Sequence, residues 1–174
     1  MDRRSVLRLA VGGLGLHAVG SVAGATGYEP LGSITVPGAK EAVVGADGVT
    51  VYVATTTGYA IVDVSDPRRP QLLHQDRNLV VDPEGGPLHG IQDVSVAGER
   101  LLVVGPADGG QSELRAAIIY DVSDPAAPVL LDHHETDFPI HNATLAGDRA
   151  YLTGNDGEAN PLVIVDLNGS PRVV

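Results

Sequence analysis

The sequence of 174 residues contains no cysteine. Disulfide bonds and a lipid-bearing cysteine are therefore excluded, whichever compartment the protein occupies. Tryptophan is also absent, and Phe138 is the only phenylalanine. The hydrophobic core has to be built from valine, isoleucine, leucine and alanine, and such a composition favours a β-sheet protein.

Positive charge is scarce as well. Eleven Lys and Arg residues stand against 22 Asp and Glu residues, which gives a net charge of −11, and Lys40 is the only lysine. An excess of acid with almost no lysine resembles proteins that work in concentrated salt, where self-repulsion is screened. A GC-rich genome would favour Arg over Lys but would not supply the acid, so the composition predicts a halophilic archaeal protein. It argues against a nucleic-acid partner.

Long apolar runs are lacking except near the N-terminus. The Arg3-Arg4 pair is followed by a weakly apolar, Gly- and Ala-rich stretch that His17 interrupts, and Ala23-Gly24-Ala25 is a candidate cleavage site. This pattern predicts a twin-arginine export signal over residues 1–25. The alternative, a membrane anchor, is disfavoured because the glycines make a poor bilayer helix. We therefore expect an exported protein, extracellular or at the cell surface, with no membrane span after signal removal.

A repeated motif organises the rest of the chain. Val62–Pro70 reads Val-Asp-Val-Ser-Asp-Pro-Arg-Arg-Pro, Tyr120–Pro128 repeats it, and Val165–Pro171 is a degenerate third copy. Each copy follows a β-branched apolar run, and the first two precede another. Two runs joined by Asp, Ser and Pro predict two antiparallel strands and a turn.

Each repeat also carries two earlier strands joined by a short Gly- or Asp-bearing turn. Four antiparallel strands, a to d, recurring after 58 and 45 residues predict the blades of a β-propeller. We expect an all-β partial propeller of about three blades within residues 28–174, at about 38–76, 89–136 and 141–174. A β-sandwich rarely repeats one turn motif, and the coils of a solenoid are shorter.

The repeats resemble a known family. Ala60-Ile61-Val62-Asp63-Val64-Ser65-Asp66-Pro67 and Leu162-Val163-Ile164-Val165-Asp166-Leu167 are similar to the LVIVP repeat of secreted bacterial and archaeal proteins. His141-Asn142, six residues before Gly147-Asp148, resembles the opening of that repeat. The resemblance implies a propeller at or outside the cell surface, and it carries over no catalytic residues. The third copy departs from it, with Asn168-Gly169-Ser170-Pro171 in place of Ser-Asp-Pro.

Both ends of the repeat region predict missing partners. Pro30–Ile34 reads like a strand d without its blade, and Pro171–Val174 like a strand d that is just beginning. Three blades are too few to close a ring, which needs about four to eight. We therefore expect residues 28–174 to be part of a longer propeller, or to be completed to six blades by a second chain.

The irregular loops are predicted to share one face. Since neighbouring strands run in opposite directions, the a–b and c–d turns lie on one face and the b–c and d–a connections on the other. The second face would carry the variable loops 76–92, 105–113, 135–141 and 155–160, and loops on a repeated scaffold are where binding usually occurs.

His89, Asp93 and His141 on this face are the candidate metal ligands. Imidazole and carboxylate groups converging near the central channel suit Zn²⁺ or another divalent ion. Their spacing matches no established metal motif, and an inner-strand Asp often only satisfies loop backbone. No other cofactor is predicted.

Two classes of function remain. Repeats without a catalytic constellation favour a non-catalytic binding scaffold for a protein or a cell-surface glycan. The alternative is a metal-dependent hydrolase or oxidoreductase that uses His89, Asp93 and His141 at the channel mouth.

Overall fold

The computed structural model of the chain describes residues 29–79, 86–110, 114–154, 157 and 159–174, and this part of the chain is built from β-strands, turns and loops. The predicted signal over residues 1–25 lies outside the described residues. The twelve strands are β1 (Ala39–Val44), β2 (Thr50–Thr55), β3 (Gly58–Asp63), β4 (Gln71–Asp76), β5 (Asp93–Ala97), β6 (Arg100–Gly105), β7 (Ala116–Asp121), β8 (Val129–Glu135), β9 (Ile140–Ala146), β10 (Arg149–Gly154), β11 (Leu162–Asp166) and β12 (Arg172–Val173).

The strands form three antiparallel sheets, each with four strands in sequential order. We call them blade 1 (β1–β4), blade 2 (β5–β8) and blade 3 (β9–β12). Their registers align the blades residue by residue, because Thr50, Arg100 and Arg149 each pair with the aspartate that ends the third strand of their own blade. The sequence repeat therefore corresponds to a structural repeat.

The repeated Asp-Ser-Asp-Pro motif is explained by local hydrogen bonding. The first aspartate of each copy accepts a hydrogen bond from the backbone N–H two residues later, at 2.7, 2.8 and 2.9 Å. The second aspartate, present in blades 1 and 2, accepts from the N–H two residues after it in the same way. Such bonds satisfy the free donors of the turn and let the chain reverse between the third and fourth strands.

The hydrophobic core lies between the blades. The first cluster joins Tyr52 and Ile61 of blade 1 to Leu101, Val103 and Ile118 of blade 2. The second joins Leu102, Val104 and Ile119 of blade 2 to Leu152 and Val165 of blade 3. Because side chains alternate between the two faces of a sheet, successive residues of β6 contribute to different clusters. We call the side of each blade that points to the next blade along the chain its forward face, and the opposite side its reverse face.

The segment before blade 1 was predicted to be a strand d without its blade. Pro30–Ile34 has no strand partner among the described residues, and the first strand begins at Ala39. Blade 1 supplies no partner strand for this segment. Without a partner, the segment cannot form the backbone hydrogen bonds of a β-sheet. No helix within the described residues has the length and apolarity needed to cross a membrane.

Candidate functional site

A polar depression of about 320 Å³ lies where the innermost strands of the three blades begin. Two consecutive residues from each blade line it: Lys40 and Glu41, Gln92 and Asp93, and His141 and Asn142. We call it the axial depression. It collects side chains that are about 50 residues apart in sequence, so only the arrangement of blades brings them together.

The axial depression is built from equivalent positions. Glu41, Asp93 and Asn142 each stand one residue before a member of the aligned set Ala42, Val94 and Ala143, which pair with Val53, Val103 and Leu152. Each lies near the start of an inner strand, beside the connection that enters the blade. The depression therefore opens on the predicted loop face.

Asp93 is the buried member of this set, with 5% of its surface exposed. Its Oδ2 accepts a hydrogen bond from the backbone N–H of Ala143 in blade 3, at 2.5 Å. Burial, together with a hydrogen bond to the Glu41 carboxyl group of blade 1, raises the pKa of Asp93 to about 7. A carboxyl pair that is hydrogen-bonded in this way holds a proton between its members. Asp93 thus connects all three blades.

The other members are accessible to solvent. Lys40, Glu41, His141 and Asn142 are exposed, and Gln92 is half-buried. They present an ammonium group, a carboxyl group, an imidazole and two amides around one opening. This mixture can donate and accept hydrogen bonds at the same time, which suits a polar ligand better than an apolar one.

The structure separates the three predicted metal ligands into two groups. Asp93 and His141 line the axial depression, whereas His89 does not. Within the described residues, no three His, Asp or Glu side chains are grouped closely enough to hold a metal ion. The divalent-metal hypothesis for His89, Asp93 and His141 therefore stays a prediction.

The loop that carries His89 is fixed by its backbone. The N–H of Ile91 donates to the Thr56 carbonyl of blade 1, and the N–H of Ala107 donates to the Gly90 carbonyl, at 3.2 and 2.9 Å. A β-carbon at Gly105 would lie 3.2 Å from the His89 carbonyl oxygen, so this glycine allows the two connections to approach closely. The loop supports the rim of the site rather than its centre.

Sequence reasoning missed Lys40 and Glu41 because it searched for histidine and carboxylate close together in the chain. The signal that could have found them is positional. Once the hairpins are aligned on their turns, Glu41, Asp93 and Asn142 fall in one column, and a column of polar residues at the start of inner strands indicates a shared channel mouth.

The comparisons with known proteins agree with this architecture. The LVIVD repeat family model matches residues 45–75 and 116–136, which contain the first two Asp-Ser-Asp-Pro turns. The matching repeat thus ends in aspartate, not in the proline of the resembled LVIVP pattern. The literal run Leu162-Val163-Ile164-Val165-Asp166 lies outside both matched segments. No curated protein sequence matches the chain.

Eleven chains of solved structures match the fold. One is the crystal structure of the Myceliophteria thermophila Cps50 (Swd1) β-propeller domain, which is 13% identical and aligns with a TM-score of 0.55. The match covers 81% of this chain and 40% of that one, so the chain spans less than half the length of the solved domain. Together with the three four-stranded sheets, this match confirms the predicted fold, a partial β-propeller of about three repeated blades.

Proposed function

We propose that this propeller is a non-catalytic binding scaffold that holds a polar ligand over the axial depression on its loop face. The single observation that carries the proposal is the convergence of six polar residues, two from each inner strand, at one opening. A repeated scaffold with its irregular connections on the same face is the usual arrangement of a binding protein.

The chemistry of the opening favours a protein segment or a cell-surface glycan as the ligand. Amide groups of Gln92 and Asn142 can each donate and accept, as recognition of hydroxyl or peptide groups requires. Lys40 adds a positive charge at the mouth of a chain whose net charge is −11. An anionic polymer such as nucleic acid would be repelled by the remainder of the surface.

The protonation of the site favours binding over acid–base chemistry. Asp93 is buried and bonded to both Glu41 and the Ala143 backbone, so its carboxyl group maintains the contact between blades. A catalytic carboxyl group needs hydrogen-bond reach to a substrate, and these partners already occupy Asp93.

The test uses variants of residues that line the opening, His141 exposed and Gln92 half-buried. Gln92→Ala and His141→Ala should weaken binding to a glycan array or to separated cell-envelope proteins, because each removes a hydrogen-bonding group from the opening. Ser123→Ala, in the turn on the opposite face, is the matched control and should bind like the parent chain. Equal binding by all four proteins would refute the proposed site.

The metal-dependent enzyme remains the competing proposal, because Asp93 and His141 do share the depression. Metal analysis of protein purified without chelator separates the two functions. Stoichiometric metal that is lost in His141→Ala would favour the enzyme, whereas unchanged trace metal would favour the scaffold.

Export is part of the proposal and has its own test. The Arg3-Arg4 pair and the acidic composition support export by the twin-arginine route. A reporter fused to residues 1–25 should reach the outside of a halophilic host, and replacement of both arginines by lysine should retain it in the cytoplasm. Export of the lysine variant would contradict the route.

A further inference from the structure

The two covered interfaces of the molecule follow one rule. At each, the forward face of one blade packs against the reverse face of the next. The forward residues Tyr59 and Ile61 of blade 1 contact the reverse residues Leu101, Ile118 and Tyr120 of blade 2 in this way. The ring of Tyr59 packs against that of Tyr120 in a tilted arrangement, with centroids 4.9 Å apart and 53° between the ring planes. Blade 2 and blade 3 repeat the arrangement through a second cluster.

Among the described residues, the reverse face of blade 1 is covered by no blade; Val53 and Val62 are buried in a small cluster against which Val36 packs. This face presents Val51, Val53 and Val62 to a groove of about 570 Å³. By register these positions are equivalent to Leu101, Val103 and Tyr120, which are buried in the interface between blades 1 and 2. The groove is therefore the position in which a preceding blade would pack.

The segment before blade 1 lies in that groove. Residues 32–36, here called the strap, line it together with Pro67 and Pro70 of the turn in blade 1. Between blades 2 and 3, the strand β8 residues Leu131 and Asp132 border a hollow against the equivalent turn at Gly169 and Pro171. The strap thus occupies the same position beside blade 1 that strand β8, the outer strand of blade 2, occupies beside blade 3.

The strap is held in place and its backbone is available. A β-carbon at Gly32 would collide with the carbonyl oxygen of Pro67, so only glycine permits this approach. Val36 packs on the reverse-face residues of blade 1. The backbone groups of residues 32–35 make no hydrogen bond to another described residue, which leaves an extended edge that can pair with a strand.

The complementary feature lies at the other end of the described chain. The forward face of blade 3 carries Tyr151 and Ile164, which are half-buried, and Leu162, which is 64% exposed. By register they are equivalent to Tyr52, Ile61 and Tyr59, the forward residues of blade 1. Blade 3 therefore presents the kind of surface that the groove of blade 1 is built to receive.

The outer edge of blade 3 is also incomplete. Strand β12 pairs with β11 at only two positions, whereas β4 and β8 pair with their neighbours at five and six. Among the described residues, the outer edge of Leu162 and Val163 has no strand beside it. The strap of a second copy of the chain could add to the sheet at this edge as a further strand.

We infer that two copies of the chain close a six-bladed ring, with blade 3 of each copy packed in the blade 1 groove of the other. The strap of one copy then adds to the outer edge of blade 3 in its partner. In both contacts, the forward face of one blade packs against the reverse face of the next, as it does within the chain. A two-fold axis relates the two contacts, so the assembly stops at two copies. Six blades lie within the range that propellers use.

A crosslinking experiment tests the specific contact. Since Leu162 and Val62 are equivalent to Tyr59 and Tyr120, the ring places Leu162 of one copy beside Val62 of the other. The chain has no native cysteine. The double variant Leu162→Cys, Val62→Cys should therefore give a covalent dimer with a short thiol-specific crosslinker. Leu162→Cys, Val44→Cys is the matched control, because Val44 is exposed outside the groove, and it should remain largely monomeric on a denaturing gel.

Sedimentation of the 174-residue chain in concentrated salt tests the assembly itself. We expect a discrete dimer for the parent chain and a monomer for Tyr151→Glu, while Leu130→Glu on the exposed outer strand of blade 2 should stay dimeric. Circular dichroism establishes that each variant is folded, and Leu162→Glu, at a still more exposed forward position, replaces Tyr151→Glu if that variant unfolds. A parent chain that sediments as a folded monomer would overturn the inference and favour further blades of a longer chain as the occupant. Open-ended polymers would overturn it as well.

Discussion

Blade 2 and blade 3 have the same strand order but different surroundings. In β6 of blade 2, Leu101, Leu102, Val103 and Val104 are all completely buried, because a neighbouring blade covers each face. In β10 of blade 3, burial alternates, with Ala150 and Leu152 buried and Thr153 exposed. A blade is therefore not a stable unit by itself, and its burial depends on the neighbours that the chain supplies.

The same comparison holds at the axial depression. Glu41, Asp93 and Asn142 share one position, yet only the middle residue is buried, and this burial is the main cause that raises the pKa of its carboxyl group to about 7. The next blade closes over Asp93 through the Ala143 N–H, while no described blade closes over Asn142. Position in the ring, rather than position in the repeat, decides the chemistry of the residue.

The largest expected effect separates the two kinds of blade directly. Leu102→Ala, in the covered middle strand, should lower the free energy of unfolding by about 3 kcal/mol, since it leaves a cavity between two blades. At protein concentrations that keep the chain monomeric, Tyr151→Ala at the equivalent position of blade 3 should cost about 1 kcal/mol or less. Urea unfolding in matched salt measures both. If both variants lose the same free energy of unfolding at high dilution, the forward face of blade 3 is covered in the monomer.

Asp93→Asn tests the buried environment of Asp93 in the middle blade through the pH dependence of stability. Because the folded pKa of about 7 lies above the ordinary value of 3.8, the folded state favours the protonated carboxyl group. Below pH 3.8 the group has no effect on stability. Stability then falls as the pH rises from 3.8 to 7, and the full cost is present above 7. An amide removes this cost, so the variant should be more stable than the parent at pH 8.

The measurement is urea unfolding of Asp93→Asn and the parent at several pH values between 4 and 8. The two curves of stability against pH should converge at the acid end and separate toward pH 8. Asp124→Asn, the same chemical change in an exposed turn, is the control and should follow the parent. A parallel offset of the Asp93→Asn curve at every pH would contradict the raised pKa.

Ser95→Ala tests the second contact between the blade 2 inner strand and blade 3. The Ser95 hydroxyl oxygen accepts a hydrogen bond from the Leu145 N–H at 2.9 Å, and Leu145 is buried. Its loss should cost about 1–2 kcal/mol, because the amide is left without a partner. Val43 occupies the same position in blade 1 and makes no such side-chain bond, so Val43→Ala is the comparison. Hydrogen exchange of the Leu145 amide, faster only in Ser95→Ala, would locate the effect.

The smallest effect is expected at a position where blade 1 differs from the others. Thr55 is equivalent to Gly105 and Gly154, and its completely buried hydroxyl has no hydrogen-bond partner among the described residues. Thr55→Val keeps the shape of the side chain and removes the unsatisfied group, so it should raise stability by about 1 kcal/mol. A midpoint of thermal unfolding below that of the parent would show that the hydroxyl has a partner in solution.

Much of the fold could be predicted because its signals are local. Apolar, β-branched runs mark the central strands, and the Asp-Ser-Asp-Pro turns mark the reversals that follow them through hydrogen bonds that span two residues. Such bonds form from the sequence in any blade. Residues 30–34 were predicted to be a strand d without its blade, and they have no strand partner among the described residues.

The candidate site could be predicted only in part. The position of Asp93 and His141 at one opening followed from strand direction, but the contribution of Lys40 and Glu41 required the packing of blade 1 on blade 2. His89 was grouped with Asp93 and His141 as a candidate ligand, but it does not line the axial depression.

The sequence by itself determined the β-structure, the period of the repeat and the turns, because these depend on side chains and backbone groups within a few residues of each other. Only the tertiary structure decided which of three equivalent residues is buried, and which blade faces are covered. Those properties depend on desolvation and on contacts between residues about 50 positions apart, as in the bond from Ala143 to Asp93. No local pattern carries that information.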